Sequence, residues 1–158
     1  MLYYTPQTSF FIAGTVRENL IYGLDREVSD EELTEALYRV YLTGSDHNIS
    51  VINTDGNKAL DTYINEKSEV LSGGMKQRLS LARAFLRRPR LFIFDEITAN
   101  LDDKARDLVL DNIENYAKSI DAGILYISHD PCVVNRCAEI ITLKNKLIEN
   151  TNNGTKVA

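Results

Sequence analysis

The chain has 158 residues with 44% hydrophobic and 26% charged residues, enough for one domain with a real core or two small lobes. A net charge of −5 gives no support for nucleic-acid binding. Its apolar runs, around Phe92 and Ile124, fall far short of the ~20 residues a membrane span needs, so no direct insertion is expected and any membrane role comes through a partner.

In chain order, an apolar, aromatic N-terminus leads to Pro6 and Gln7. No charged-then-apolar signal peptide precedes them. Thr15 is placed to cap a short helix through Leu20, with Glu18 as capping-box partner. Residues 29–32 (Ser-Asp-Glu-Glu) form a second capping box. Leu33, Ala36, Leu37, Val40 and Tyr41 follow at helical spacing, which predicts a helix of about three turns. Residues 43–67 are polar, hold Gly44, Asn53, Asp55, Gly56 and Asn57, and read as loops around a short element. His47 there reads as a surface residue. Ser72 stands at an N-cap position before a helix over about 74–88, which Pro89 stops. Arg83, Arg87, Arg88 and Arg90 read as a solvated helix face and C-terminus.

Residues 91–94 predict a buried strand. The next helix starts near Asp102 or Asp103, with Ala105, Leu108, Val109, Ile113 and Tyr116 on its apolar face. Residues 124–127 predict a second buried strand, followed by Ser128, His129, Asp130 and Pro131. A short helix through Val133 and Val134 leads to an apolar run at 140–143, a turn at Asn145, and Leu147 and Ile148. Residues 150–158 are polar and expected to fray. Cys132 and Cys137 make no disulfide framework and read as reduced thiols of a cytosolic protein. A metal site from them and His129 would lack the four protein ligands usual in structural zinc. The alternation of strands and helices calls for a parallel sheet with covering helices, behind a first sixty-odd residues of helix and loop. The expected fold is α/β.

Three groups carry chemistry. Asp95 and Glu96 end the strand over 91–94, where side chains of a parallel sheet face the ligand crevice. A buried Asp there calls for a partner, and Mg²⁺ is a natural one. Glu96, one residue further out, is placed to polarise a water as general base. Ser72, Gly73 and Gly74 at a helix start offer a hydroxyl, bare N–H groups and a helix dipole, an anion site. His129 follows the second strand and is placed to donate to a transferred phosphate. Each feature alone has a plainer reading: a strand ending in a polar turn, a helix cap, a surface histidine.

Together these residues resemble the ATP-binding cassette (ABC) ATPase family, exporter type, and the resemblance covers nearly the whole chain. The segment LSGGMKQR at 71–78 resembles the signature motif, FIFDE at 92–96 the Walker B strand, and Ala99, Asn100, Leu101 and Asp102 the D-loop. Leu60, Asp61 and Thr62, with Glu66, and the words around Gln7 are similar to those of exporter-type domains. The resemblance implies a partial P-loop NTPase-like core with a parallel sheet plus an α-helical subdomain. It implies a Q-loop and helical part over 1–70, the signature helix and C-terminal part of the core over 71–149, and a polar tail over 150–158. It makes Gln7 the Q-loop glutamine, touching Mg²⁺ and the attacking water. Ser72, Gly73 and Gly74 contact the γ-phosphate of ATP held by an opposing domain. Asp95 becomes the Walker B aspartate on Mg²⁺, Glu96 the catalytic glutamate, Asp102 a D-loop residue at the nucleotide and His129 the switch histidine.

The sequence departs from the family pattern at Met75, usually glutamine, at Ile97, usually proline, and at Ala99, usually serine. Losing the Ala99 hydroxyl is expected to weaken coupling between two sites. The largest departure is the absence of any G-x-x-x-x-G-K-[ST] segment, which reads as a domain starting after its own P-loop. The P-loop amides and lysine hold the phosphates in this family, so the chain alone is expected to hydrolyse ATP negligibly. A sheet lacking that strand is expected to leave an open edge prone to aggregation, domain swapping or oligomer packing.

The resemblance thus implies the C-terminal portion of an ATP-binding domain that uses ATP and Mg²⁺. Its partners would be a second such domain and a transmembrane domain, at the cytoplasmic face of a membrane. A second reading is a non-catalytic module that supplies a signature face in trans to a P-loop-bearing partner. A third, a DNA-repair or chromosome-organising ABC ATPase, sits poorly with the lack of heptads before the signature.

Overall fold

The structure, a computed structural model, describes residues 1–44, 51–53, 55–65, 67, 69–144 and 147–151. His47, Glu66 and Asn145 lie outside the described residues. The chain forms two compact units, Met1–Ile127 and Ser128–Ala158.

In the first unit, the aromatic N-terminus forms strand β1 (Leu2–Thr5), which the sequence pattern does not announce. Only Thr5 in it is fully buried, so its extended state comes from pairing with a distant strand rather than from periodicity. Two-residue strand β2 (Gly14–Thr15) then runs into α1 (Val16–Ile21). Thr15 and Glu18 form the expected reciprocal capping box. Helix α2 (Asp30–Arg39) is capped by Ser29, which accepts from the Glu32 N–H. The reciprocal half of that box is absent, because the Glu32 carboxylate lies 2.5 Å from Arg26 and 2.9 Å from Arg88. Two charge-assisted partners outcompete one backbone N–H. Short helix α3 (Gly56–Leu60), capped by Asp55, and β3 (Tyr63–Ile64), antiparallel to β2, complete the helical part.

Helix α4 (Gly73–Arg87) is buried on nearly every side, with Leu79, Leu81, Ala82 and Ala84 inaccessible to solvent. It packs against α1, α2 and β1 and so unites the helical part and the sheet in one core. Its C-cap, Arg88, takes a left-handed conformation (φ 46°, ψ 55°) before Pro89. The expected solvated arginine face does not hold for Arg83, which is 8% exposed. Its guanidinium donates to Asn19 and to the Phe10 carbonyl, partners too distant in sequence to foresee.

Strand β4 (Leu91–Asp95) pairs in parallel with β1 on one side and with β5 (Gly123–Ile127) on the other, giving the order β1-β4-β5. Helix α5 (Asp103–Ser119) is the β4-to-β5 crossover, capped by Asp102. Phe92 and Phe94 stack at 5.4 Å on the covered face of the sheet. There Phe85 of α4 and Tyr116 of α5 meet Phe92 edge-on at 6.4 and 6.3 Å. The fold is α/β with a parallel sheet, as expected. Strand β5, however, is not buried on both faces: Leu125 and Ile127 are 47% and 48% exposed. They lie on the face opposite the helices, so β5 alternates where a doubly covered strand would not.

In the second unit, Asp130 caps α6 (Pro131–Val134), whose first position is the proline. Strands β6 (Ile140–Lys144) and β7 (Leu147–Thr151) pair antiparallel. Asn150 and Thr151 pair with Ile141 and Ile140, so the strand runs on into the stretch expected to fray. Residues 152–158 lie outside the described residues. No helix of the described residues is long and apolar enough to cross a membrane.

Candidate functional site

Parallel pairing places the carboxyl ends of β1, β4 and β5 at one edge of the sheet. Asp95 ends β4, and Glu96 follows it with its N–H donating to the Ile127 carbonyl at 2.9 Å. Both side chains are half-buried. The Tyr4 hydroxyl donates to Asp95 Oδ2 at 2.8 Å. This hydrogen bond to a carboxylate raises the Tyr4 pKa, with desolvation and Coulombic repulsion from Asp95 adding to it. Gln7 sits two residues beyond β1, with its side chain exposed.

Glu96 has φ 49°, the left-handed region that disfavours a residue with a Cβ. The turn that follows imposes it: the Ala99 N–H donates to the Glu96 carbonyl at 3.1 Å, and the Leu101 N–H to the Thr98 carbonyl at 3.0 Å. Strain of this kind persists where surrounding contacts over-determine the backbone.

Gln77 is a large part of that surrounding. Buried on α4 at 3% exposure, its Nε2 donates to the Glu96 carbonyl at 3.0 Å. Its Oε1 accepts from the Asn100 N–H, also at 3.0 Å. One amide thus ties the helix after the Ser-Gly-Gly turn to both ends of the loop after β4. Its role is not evident from local sequence; the available signal is an amide on a buried helix face, at i and i+4 with Leu81.

Ser72 caps α4 through its Oγ, which accepts from the Met75 N–H at 3.2 Å. Ser72 and Gly73 are exposed at the helix start. Gly74 has a packing reason to lack a side chain, since a Cβ there would lie 2.9 Å from the Asn100 backbone oxygen. The Ser-Gly-Gly turn and the loop over residues 97–102 are therefore in direct contact. Arg78, one turn into α4, is 2% exposed and donates to the carbonyls of Gly74 and Tyr41. Burial pushes its pKa down to about 10, and the Asp102 charge opposes that shift. Asp102 also caps α5, accepting from the Ala105 N–H at 2.9 Å.

The structure therefore joins the Ser72–Gly74 turn to the loop that ends in Asp102 and, through Gln77, to the Glu96 carbonyl beside Asp95, and puts Gln7 just past the same sheet edge. His129 is exposed and belongs to the second unit, two residues past β5. The donor set suits a hard cation. Asp95 Oδ2 accepts from Tyr4, while Oδ1 carries no partner among the described residues. Among those residues no three Asp, Glu, His or Cys side chains converge, so a cation at Asp95 would draw its remaining oxygens from an amide, phosphate or water. That is the habit of Mg²⁺ rather than of zinc.

Residues 1–99 match the ABC transporter family. The chain is 36% identical over 115 residues to a multidrug resistance ABC transporter ATP-binding and permease protein of Lactococcus lactis subsp. lactis (strain IL1403), covering 73% of this chain and 18% of that protein. It is 34% identical over 145 residues to the lactococcin-G-processing and transport ATP-binding protein LagD of Lactococcus lactis subsp. lactis, covering 92% of this chain and 19% of that one. The chain thus spans about a fifth of the length of these curated relatives. Among solved structures, a bacterial Atm1-family ABC exporter with ATP bound superposes with a TM-score of 0.74 at 26% identity, covering 92% of this chain and 24% of the other.

Proposed function

The chain belongs to the ABC transporter family, in the ATP-binding part of its exporter-type members, and from that premise we propose that it supplies the signature and Walker B face of a nucleotide-driven export machine. The observation that carries the reading is the Gln77 bridge, which ties the signature helix to the carbonyl of Glu96 and the N–H of Asn100. A signature turn, a general base and a D-loop bound into one rigid piece suit a site that must sense whether a γ-phosphate is present.

In this reading Ser72, Gly73 and Gly74 meet the γ-phosphate of ATP held by an opposing domain, and Asp102 stands at the same nucleotide. Asp95 and Gln7 hold Mg²⁺, which would neutralise phosphate charge. Glu96 takes the proton of the attacking water, and His129 donates to the transferred phosphate. Residues 1–70 act as the Q-loop and helical subdomain facing a transmembrane partner, residues 71–149 as the signature helix and C-terminal part of the core, and 150–158 as a tail. The assembly works at the cytoplasmic face of a membrane, as a pair of domains closing on ATP. A second reading, a signature face offered in trans to a P-loop-bearing partner, draws on the exposure of Ser72 and Gly73.

The 158 residues contain no P-loop segment. Positioning and charge stabilisation supply most of phosphoryl-transfer catalysis, so this chain by itself should release phosphate from Mg·ATP no faster than buffer does. Turnover at an ordinary ATPase rate of about 1 per second or more, abolished by Glu96→Gln, would overturn that expectation.

A further inference from the structure

Strand β1 brings a phenol to the carboxylate that ends β4. Tyr4 pairs with Ile93 in the parallel register, and Asp95 lies two residues beyond Ile93. Side chains two apart on a strand share a face, so Tyr4 and Asp95 project from the same side of the sheet. A tyrosine is long enough to cross that diagonal, and its hydroxyl donates to Asp95 Oδ2 at 2.8 Å. Packing does not account for this residue. Its ring is 47% exposed on the open face, whereas its neighbour Tyr3 packs against the core. Among the described residues its hydroxyl has no partner other than Asp95. A hydrogen bond at so exposed a position contributes little to stability, so its larger effect is on Asp95 itself.

An ionised carboxylate offers two acceptor oxygens, and Tyr4 engages one of them. The terminal torsion of an aspartate is soft, so a donor fixed on Oδ2 also decides which oxygen is left to face the site. Cations differ in what they ask of such a group. Mg²⁺ demands near-octahedral geometry and gives up its waters reluctantly, so one carboxylate oxygen serves it, directly or across a water. Ca²⁺ is larger, gathers roughly six to eight oxygens, and gains from a carboxylate that lends both of its own. The charge of Asp95 attracts either ion; the geometry separates them. Chelation by both oxygens requires breaking the hydrogen bond from Tyr4, a cost that falls on Ca²⁺ and not on Mg²⁺.

We propose that Tyr4 determines cation specificity at Asp95: by holding Oδ2 it leaves the carboxylate one free oxygen, and so favours Mg²⁺ over Ca²⁺. Tyr4 is a positioning residue, since it acts on the ion through Asp95. This role rests on Asp95 being the cation ligand proposed for the complete site, and it adds what selects the ion there.

The test uses Mn²⁺ as a paramagnetic probe on the 158-residue chain, read by NMR as broadening of the Asp95 and Glu96 amide signals. Mg²⁺ and Ca²⁺ are then titrated separately to displace it, in the unaltered chain, in Tyr4→Phe and in Asp95→Asn. Broadening of these two signals is expected in the first two proteins and not in Asp95→Asn. Tyr4→Phe keeps the ring and frees Oδ2, so it should move the ratio of Ca²⁺ to Mg²⁺ affinity about tenfold toward Ca²⁺. A merely structural role would weaken both ions alike and leave that ratio where it was. Mn²⁺ broadening that Asp95→Asn removes, with a ratio unmoved by Tyr4→Phe or moved toward Mg²⁺, would overturn the role of Tyr4 while leaving Asp95 a cation ligand. Absence of broadening in the unaltered chain, or broadening indifferent to Asp95→Asn, would overturn the cation site and the role of Tyr4 with it.

Discussion

Glu96, proposed above as the general base, sits on a backbone conformation it does not favour. Its φ of 49° is held by the Ile127 carbonyl, the turn to Ala99 and the Gln77 amide. Asparagine tolerates this region better than glutamate, so Glu96→Asn should raise stability by about 0.5–1 kcal/mol while removing the base. A fall in thermal midpoint would show that the left-handed turn is not strained. Gln77→Leu should do the opposite, leaving the Asn100 N–H without the Gln77 amide and the Glu96 carbonyl with the Ala99 N–H alone, at a cost of about 1–3 kcal/mol. A denaturant midpoint unchanged by that variant would remove the bridge from the account. The contrast between these residues explains what could be read from sequence. Asp95, Glu96 and the Ser-Gly-Gly turn stand out because their chemistry lies in consecutive residues. Gln77, Tyr4 and Arg83 do not, because their partners lie 19, 91 and 64 positions away.

Local signals served well for elements whose ends are set locally. Thr15, Ser29, Ser72 and Asp102 each cap the helix their positions announce. They served poorly where tertiary partners decide, as at β1, at the half-formed box of α2, and at β5. Glu32 shows the competition directly. The hydrogen bond from Arg26 holds its carboxyl below the usual carboxylate range, with the charges of Arg26 and Arg88 adding to the effect and burial opposing it. A depressed folded-state pKa stabilises above the ordinary carboxylate pKa, and that stabilisation is lost as pH falls through the folded value. These ion pairs join α2 and the loop before it to the end of α4. Because they are partly exposed, Glu32→Gln should cost only about 0.5–1 kcal/mol at neutral pH. The difference between the two proteins should shrink as the pH falls from neutrality through the lowered folded-state pKa of Glu32, and vanish below it. A difference that persists at the acid end would mean that Glu32 acts through packing rather than charge.

At the scale of the molecule, the sheet has one covered face and one that is largely open. Leu2, Tyr4, Leu125 and Ile127 are 54%, 47%, 47% and 48% exposed. The register puts them on the same face as Leu91 and Ile93. An apolar patch of this kind drives association. The chain should bind a hydrophobic dye such as ANS and self-associate as its concentration rises, and Leu125→Glu should reduce both. Light scattering from a monomer at all concentrations, with no dye binding, would contradict this. The exposed residues share one face of the sheet, which composition alone does not reveal.

The most direct test of the central claim, that this chain carries the catalytic carboxylate of an ABC ATPase but not the phosphate cradle, is a steady-state ATPase assay. It compares the chain alone with a chimera in which a P-loop-bearing segment from an ABC exporter is fused ahead of Met1. The chain should show no measurable turnover, the chimera should turn over ATP, and Glu96→Gln should abolish that turnover. Chimera activity indifferent to Glu96→Gln, or Glu96-dependent hydrolysis by the chain alone, would contradict it.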